Sequence, residues 1–362
     1  MKLWAILILL LPVAGCGYVG WHVWQMLPLS NTWKTIIIAM MVACFCLLFV
    51  DYLIGLNGLP LTCARVLYNV GTSSIFILLY LVMLFLVLDL GRLIRLVPDS
   101  FMHHSAMGSL TVLALMLAIF TYGRIRYEKK VRVPITLKSP VPLSKPLKIV
   151  MMSDLHLGYH NTRHDLARWV DIVNSEHPDY ILIAGDIIDI SLYPVLKEDM
   201  AAEFRRLTAP VYACLGNHDY YADEQRSEQF CHDAHITLLR DQTVMLNNEV
   251  AVIGRDDRTN VERKTLNTLV KDISQARYTI LLDHQPYHLD RTEKAGINFQ
   301  FSGHTHYGQV WPVSWIEDLI YEKAYGHHQR GNTRYYVTSG IGIWGGKFRI
   351  GTQSEYVVCT LQ

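Results

Sequence analysis

The sequence predicts an α/β domain of layered β-sheets flanked by helices, preceded by an all-α membrane region of four helices. Three observations predict it. Hydrophobic residues make up 51% of the 362 and charged residues only 18%, too apolar for a disordered chain and unusual for a wholly soluble enzyme. Charge is also uneven, because residues 1–123 hold just five of the 33 Lys and Arg and three of the 32 Asp and Glu. Beyond Leu147, short apolar runs alternate with helical patterns and later with one another, as layered sheets require.

Four stretches can cross a bilayer. Leu3 to Trp24 carries no Asp, Glu, Lys or Arg and one histidine, His22, while Thr35 to Leu56 holds one acid, Asp51, Val66 to Leu90 one, Asp89, and Ser105 to Tyr122 none. A crossing takes about 20 residues at a rise of ~1.5 Å, and a backbone in lipid must satisfy itself as helix. Trp21, Trp24, Trp33, Tyr52, Tyr68 and Tyr122 fall near the ends, where amphipathic rings favour the interface. Asp51 and Asp89 lie close to helix ends and are read as interfacial acids, not an ion path. Met1-Lys2 with Val13-Ala14-Gly15-Cys16 has the form of a lipoprotein signal. The uncharged run continues past Cys16, so a retained first helix is favoured.

Arg124, Arg126, Lys129, Lys130 and Arg132 follow the fourth stretch directly and mark that side as cytoplasmic. Residues 124–146 then read as a basic, proline-rich linker, since VPITLKSPVPLSKP carries four prolines and no apolar period. The seven cysteines are odd in number and form no Cys-x-x-Cys pair. That implies no disulfide framework and suits a reducing compartment.

Residues 147–362 carry the chemistry. Apolar runs at Leu147 to Met152, Tyr180 to Ala184, Val211 to Leu215, Tyr278 to Leu282 and Phe299 to Phe301 read as buried strands. Helical patterns cover Asp165 to Ser175 and Leu196 to Leu207. Val244–Leu246 and Val250–Ile253 flank Asn247-Asn248 as a hairpin, and Tyr335–Thr338 and Tyr356–Thr360 close the chain. The five strands end in Asp154-x-His156, Gly185-Asp186-x-x-Asp189, Gly216-Asn217-His218-Asp219, Asp283-His284-Gln285-Pro286 and Gly303-His304-x-His306. Ligands of open α/β sheets bind beyond the carboxyl ends of strands, so these residues share a site.

Asp154, His156, Asp186, Asn217, His284, His304 and His306 exceed what one tetrahedral zinc needs. They suit two divalent ions that share a carboxylate. The absence of thiolates points to manganese, iron or zinc at imidazole–carboxylate sites, and manganese is the expected pair, with iron and zinc the alternatives. Two such ions ~4 Å apart can clamp a phosphoryl group. Asp154/His156 and His304/His306 are each i, i+2 pairs, which in extended chain face one side. A near-neutral second half without a basic run argues against a nucleic-acid partner.

The ordered motifs, over roughly Lys148 to Gln362, resemble the calcineurin-like metallophosphoesterases. The resemblance implies two packed mixed β-sheets flanked by helices. It implies one ion on Asp154, His156, Asp186 and His306, and another on Asp186, Asn217, His284 and His304, with Asp186 bridging. His218 would stabilise phosphoryl charge or protonate the leaving oxygen, Asp219 would orient its ring, and Asp189 would support the ligands. The amino-terminal helices, Gly-His-Thr-His-x-Gly-Gln and the late Tyr-Val-x-x-Gly-Ile-Gly are similar to a membrane-associated bacterial subgroup. Some of its members cleave UDP-2,3-diacylglucosamine at the inner membrane. Tyr307, where glycine is common, and Trp344-Gly345-Gly346-Lys347 depart from that pattern.

The expected activity is therefore hydrolysis of a phosphodiester or pyrophosphate at the membrane surface, on a lipid-linked substrate. Rival readings are a tethered phosphodiesterase for a soluble ester and a non-catalytic sensor or scaffold. His160, His164, His232, His235 and the pair His327-His328 read as exposed or capping residues, and Arg255-Asp256-Asp257 as a solvated turn. Trp311, Trp315, Ile316, Leu319 and Ile320 fit either core or an apolar face meeting the bilayer.

Overall fold

The computed structural model describes residues 3–273 and 275–362. Met1 and Lys2, used above for the signal and the charge count, lie outside the described residues, as does the Asp51 side chain. The chain divides into two compact units, Met1–Ile125 with Gly345–Lys347, and Arg126–Trp344 with Phe348–Gln362.

The first unit is helical: α1 (Leu3–Met26), α2 (Asn31–Ile54), α3 (Leu61–Leu93), the short α4 (Asp99–Met102) and α5 (Ala106–Glu128), whose residues from Arg126 on belong to the second unit. Three segments among the described residues, Asn31–Val50, Leu61–Leu93 and Ala106–Glu128, are long and apolar enough to cross a membrane. Asp89 is not simply turned to water. It accepts a 2.6 Å hydrogen bond from the Tyr18 hydroxyl and lies 3.0 Å from His22 Nε2, with Arg92 at 3.6 Å. These contacts join α1 to α3. The seven cysteines are all free thiols.

The second unit holds two six-stranded mixed sheets. The first takes β1 (Lys130–Leu137), β2 (Leu147–Met152), β3 (Tyr180–Ala184), β4 (Val211–Cys214), β5 (Ile236–Leu238) and the last strand β12 (Ser354–Leu361). Its order is β1-β12-β2-β3-β4-β5, with only β12–β2 antiparallel. The second takes β6 (Gln242–Leu246), β7 (Val250–Gly254), β8 (Tyr278–Leu282), β9 (Phe299–Ser302), β10 (Gly326–Arg330) and β11 (Thr333–Val337). Its order is β10-β11-β9-β8-β7-β6, with parallel pairs in the middle and an antiparallel pair at each edge.

Helices flank the two sheets. They are α6 (Arg163–Ser175), α7 (Leu192–Lys197), α8 (Met200–Phe204), α9 (Asn217–Tyr221), α10 (Glu224–Asp233), α11 (Leu266–Leu269), α12 (Leu289–Lys294) and α13 (Val313–Ile320). Alternation along each strand explains the layers. Ile149 and Met151 of β2 enter the core between the sheets with Val252, Ile280, Leu282 and Phe301. Val150 and Met152 face outward onto Leu166, Trp169, Phe204 and Phe230. Both faces of the central strands are buried, so their sequences run continuously apolar.

Four expectations need correction. Part of the proposed linker is a strand, since 130–137 pairs in parallel with β12. β1 is an edge strand, where Pro134 is tolerated without its N–H. The single helix expected at Leu196 to Leu207 is two, α7 and α8, broken where Asp199 takes φ 48°. The pair His327-His328, which its polar, glycine-flanked sequence places in a loop, belongs to edge strand β10, paired with Tyr336 and Tyr335. The fourth apolar stretch continues as helix to Glu128, so Arg124 and Arg126 lie on α5. The hairpin at Asn247-Asn248 does form, with both residues at positive φ, as a primed turn requires.

Candidate metal centre

The carboxyl ends of β2, β3, β4, β8 and β9 converge, and each delivers polar side chains to one buried place. Asp154, His156, His284 and Asp189 are fully buried, Asp186 nearly so, and Asn217 is 7% exposed. The backbone there is forced. Asp154, His156, Asp186, His304 and His306 all have φ between 44° and 74°, which non-glycine residues seldom adopt.

That backbone also corrects the i, i+2 argument. Neither pair lies in extended chain, because β2 ends at Met152 and β9 at Ser302. His304 and His306 consequently part company. His306 joins Asp154 and His156, whereas His304 joins Asp186 and His284.

In the first group His156 Nε2 and His306 Nε2 face each other at 3.0 Å. Asp154 Oδ1 stands 3.8 Å from one and 3.6 Å from the other. In the second, Asp186 Oδ2 lies 3.1 Å from His284 Nε2. The same oxygen is 3.5 Å from His156 Nε2, so the Asp186 carboxylate stands between the groups. Asn217 opens α9, with its Oδ1 buried and without a hydrogen-bond partner. Its neighbour His218 donates its backbone N–H to Asp186 Oδ1 at 2.9 Å.

Outer contacts aim the rings. His284 Nδ1 lies 2.7 Å from the Ala184 carbonyl, so Nδ1 carries a proton and Nε2 is turned inward, toward Asp186. His156 Nδ1 meets Asp189 Oδ1 at 3.1 Å, to the same effect. Side chains are excluded at two glycines: a Cβ at Gly216 would strike Asp186, and one at Gly303 would strike Ser153 and Asp154.

These residues fit divalent cations. Two imidazole nitrogens 3.0 Å apart, orphaned atoms at Asn217 Oδ1, His284 Nε2 and His306 Nδ1, and carboxylates between them form a donor set seeking positive charge. Burial pushes Asp154 up, whereas for Asp186 the opposing burial is outweighed by His284 and His218, which hold it well below the carboxylate range. Burial and the neighbouring His284 push His304 down to about 3, and burial with His156 keeps His306 well below the usual range. Both rings present neutral nitrogens, the form that binds metal.

His218 differs. Burial opposes its charge, but Asp186 and Asp189 prevail and raise it to about 9. The carboxylate at its ring is Asp189, 3.2 Å from Nδ1. This corrects the expectation for Asp219, whose carboxylate accepts the backbone N–H groups of Gly216 (2.9 Å), Ile188 (2.9 Å) and Ile187 (3.4 Å). Asp219 thus closes the turn that carries His218. Asp189 serves three rings, with His160 Nδ1 the third, at 3.6 Å from its other oxygen.

Other readings from the sequence change too. His160 is buried, its Nε2 against the Ile343 carbonyl. His164, His232 and His235 are exposed, as expected. Arg255, Asp256 and Asp257 are buried, not a solvated turn. Arg255 and Arg263 bond the two oxygens of Asp283 at 3.0 and 3.2 Å, and Asp257 accepts the Gln285 amide. Asp283 and Gln285 therefore frame His284 between them. Arg349, buried, donates to the carbonyls of His306 and Gly342 at 2.8 Å and also to Ser339. Neither Asn161 nor Tyr127 carried a motif signal. Asn161 donates to the carbonyls of Leu155 and His156 and accepts from Tyr127.

A family model for calcineurin-like phosphoesterases matches residues 147–308. An uncharacterized metallophosphoesterase of Aquifex aeolicus is 30% identical over 233 residues, 61% of this chain and 87% of that protein. One of Campylobacter jejuni is 29% identical over 233 residues, 61% of this chain and 60% of its own length. A Danio rerio transmembrane protein with a metallophosphoesterase domain is 28% identical over 310 residues, covering 76% of this chain and 70% of that protein. The chain belongs to the calcineurin-like metallophosphoesterase family. It spans about 60% of the Campylobacter and Helicobacter relatives it matches.

Proposed function

We propose that this protein is a membrane-bound dinuclear-metal phosphohydrolase that cleaves a phosphodiester or pyrophosphate of a lipid-linked substrate on the cytoplasmic face. The observation that carries the reading is the Asp186 carboxylate between two imidazole groups. Asp154, His156, Asp186 and His306 would hold one ion, and Asp186, Asn217, His284 and His304 the other, with manganese the first choice. Bound there, two divalent ions would supply charge to the phosphoryl oxygens and lower the pKa of water.

The chain's own residues do the rest. Asp189 holds the rings of His156 and His218 in place. His218, charged at neutral pH, faces the developing negative charge and gives the leaving oxygen its proton as the phosphorus–oxygen bond breaks. Arg349 and Asn161 fix the carbonyls of His306 and His156 and so the pitch of both loops.

The membrane part rests on three helices long and apolar enough to cross a bilayer. β1 starts at Lys130, two residues past the end of α5 at Glu128. A site so tethered meets headgroups at high effective concentration. A diacylated UDP-glucosamine is the substrate class nearest this chemistry, by the motifs shared with the membrane-associated subgroup.

The test gives the full chain, with Mn²⁺, a lipid-linked pyrophosphate and a soluble nitrophenyl phosphodiester, in proteoliposomes and in detergent. Faster turnover of the lipid substrate in the bilayer, with no such gain for the soluble ester, is expected. Activity on the soluble ester alone would establish a tethered soluble-ester enzyme, and activity on neither a sensor or scaffold.

A further inference from the structure

Helix α13 leaves its apolar side uncovered. Trp315, Ile316, Leu319 and Ile320 recur at i, i+1, i+4 and i+5, one stripe of an α-helix. They are 54–87% exposed, and Trp311 just ahead of them is 40% exposed. Core packing is thereby ruled out for all five. Scattered apolar residues on a surface are ordinary, but five together with two indoles are not. The other side is anchored: Ser314 is buried, and Asp318 accepts from the Tyr307 hydroxyl at 3.2 Å.

Position within the unit adds to the composition. The last turn of α5 belongs to the same unit as α13. Tyr127 on that turn bonds Asn161, whose amide donates to the Ile343 carbonyl at 3.0 Å. At the other end of the same loop, the Ile350 carbonyl accepts the Trp311 N–H at 2.7 Å, and Val310 bridges to Ile350. Ile343 and Ile350, both of the second unit, thus hold the last turn of α5 and the entry of α13 through their carbonyls. His306 of the metal centre precedes Trp311 by only five residues.

We propose that α13 docks on a lipid surface, with Trp311, Trp315, Ile316, Leu319 and Ile320 seated at the headgroup–acyl boundary of the bilayer that α5 enters. Indole rings favour that boundary, and an amphipathic helix lies in its plane. Lys129, just past the end of α5, suits the anionic headgroups of the same leaflet. Docking brings the mouth of the His304–His306 loop to the lipid, so a lipid-linked phosphoryl group reaches the centre without leaving the bilayer. The proposal rests on the membrane reading above, and its test needs no catalysis.

A photoreactive p-benzoylphenylalanine replaces Leu319, Ile316 or Val261 in separate full-length proteins. Val261, 92% exposed and alone on its loop, is the control. Each is reconstituted in phosphatidylethanolamine–phosphatidylglycerol vesicles and irradiated, and adduct mass is read. Phospholipid adducts at 319 and 316, at least tenfold above those at 261, are expected. Equal adducts at all three, no lipid adduct at 319 or 316, or a protein–protein adduct at 319 showing a second copy on this face would each overturn the proposal. Adducts at 319 and 316 in a protein inactive on every ester would leave the docking intact and remove the hydrolase reading alone.

Discussion

Tyr127, on the last turn of the helix that enters the phosphoesterase unit, donates its hydroxyl to Asn161 Oδ1 at 2.7 Å. Asn161 spends its amide on the carbonyls of Leu155, His156 and Ile343. The end of an apolar span is therefore one side chain away from the backbone of a metal-centre histidine. Tyr127→Phe leaves Asn161 Oδ1 buried and unpaired, a loss of about 1–3 kcal/mol. The melting temperature of the second unit should fall, and Asn161→Ala should in addition weaken Mn²⁺ binding about tenfold, as outer contacts of metal ligands do. Calorimetric melting and metal titration measure both. A Tyr127→Phe protein that melts with the wild type would show that the bond carries no stability.

Asp186 faces both histidine groups, so Asp186→Asn should lower metal content from about two ions per chain to nearly none. Elemental analysis of protein purified without chelator is the measurement. Full occupancy in the variant would remove the shared role of this carboxylate.

His218, Asp189 and Asp219 should separate cleanly. His218→Ala should leave metal content and melting nearly unchanged and lower turnover about a hundredfold or more. Asp189→Asn should lower turnover and also weaken metal binding about tenfold, because the same carboxylate touches His156. Asp219→Ala strands three backbone N–H groups, so the unit should lose roughly 2 kcal/mol or more of stability. Loss of metal from His218→Ala would make that ring a ligand.

Much of this was legible because the chemistry sits at strand ends and the strands are buried on both faces. Runs such as Tyr180 to Ala184 stand out as continuous apolar segments, and the Asp, His and Asn after them mark one edge of the sheets. What stayed hidden has physical causes. Asp219 is adjacent to His218 in sequence, yet Asp189 reaches its ring because the 185–189 turn folds back beneath it. The left-handed backbone at His304 and His306 undoes the alternation that an extended chain would impose. Proline-rich sequence conceals β1, since an edge strand tolerates a residue that the interior of a sheet excludes.

Glu317 on α13 offers a pH test. Burial, with Asp318 beside it, pushes its carboxyl up from the usual 4.5 to about 7. Between those values the unfolded chain ionises while the folded one stays protonated. Stability therefore falls as pH rises through this window, and the loss is complete above 7. Glu317→Gln should raise the melting temperature at pH 8 and change little at pH 4.5. An equal shift at both values would assign the effect to packing.

The orientation of the second unit rests on the basic residues at its threshold. Arg124 and Arg126 lie on the last turns of α5, with Lys129, Lys130 and Arg132 immediately after it. Clusters of this kind stay on the cytoplasmic side of a span. On the opposite ends of α3 and α5, Arg92 is paired with Asp99 at 2.7 Å and stands 3.6 Å from Asp89. A green fluorescent protein fused after Gln362 in a bacterial host should therefore fluoresce, and an alkaline phosphatase fusion at the same place should be inactive. Replacing the five basic residues with glutamine should make the two reporters lose their contrast. An active phosphatase fusion in the unaltered protein would place the metal centre outside and exclude every cytoplasmic substrate.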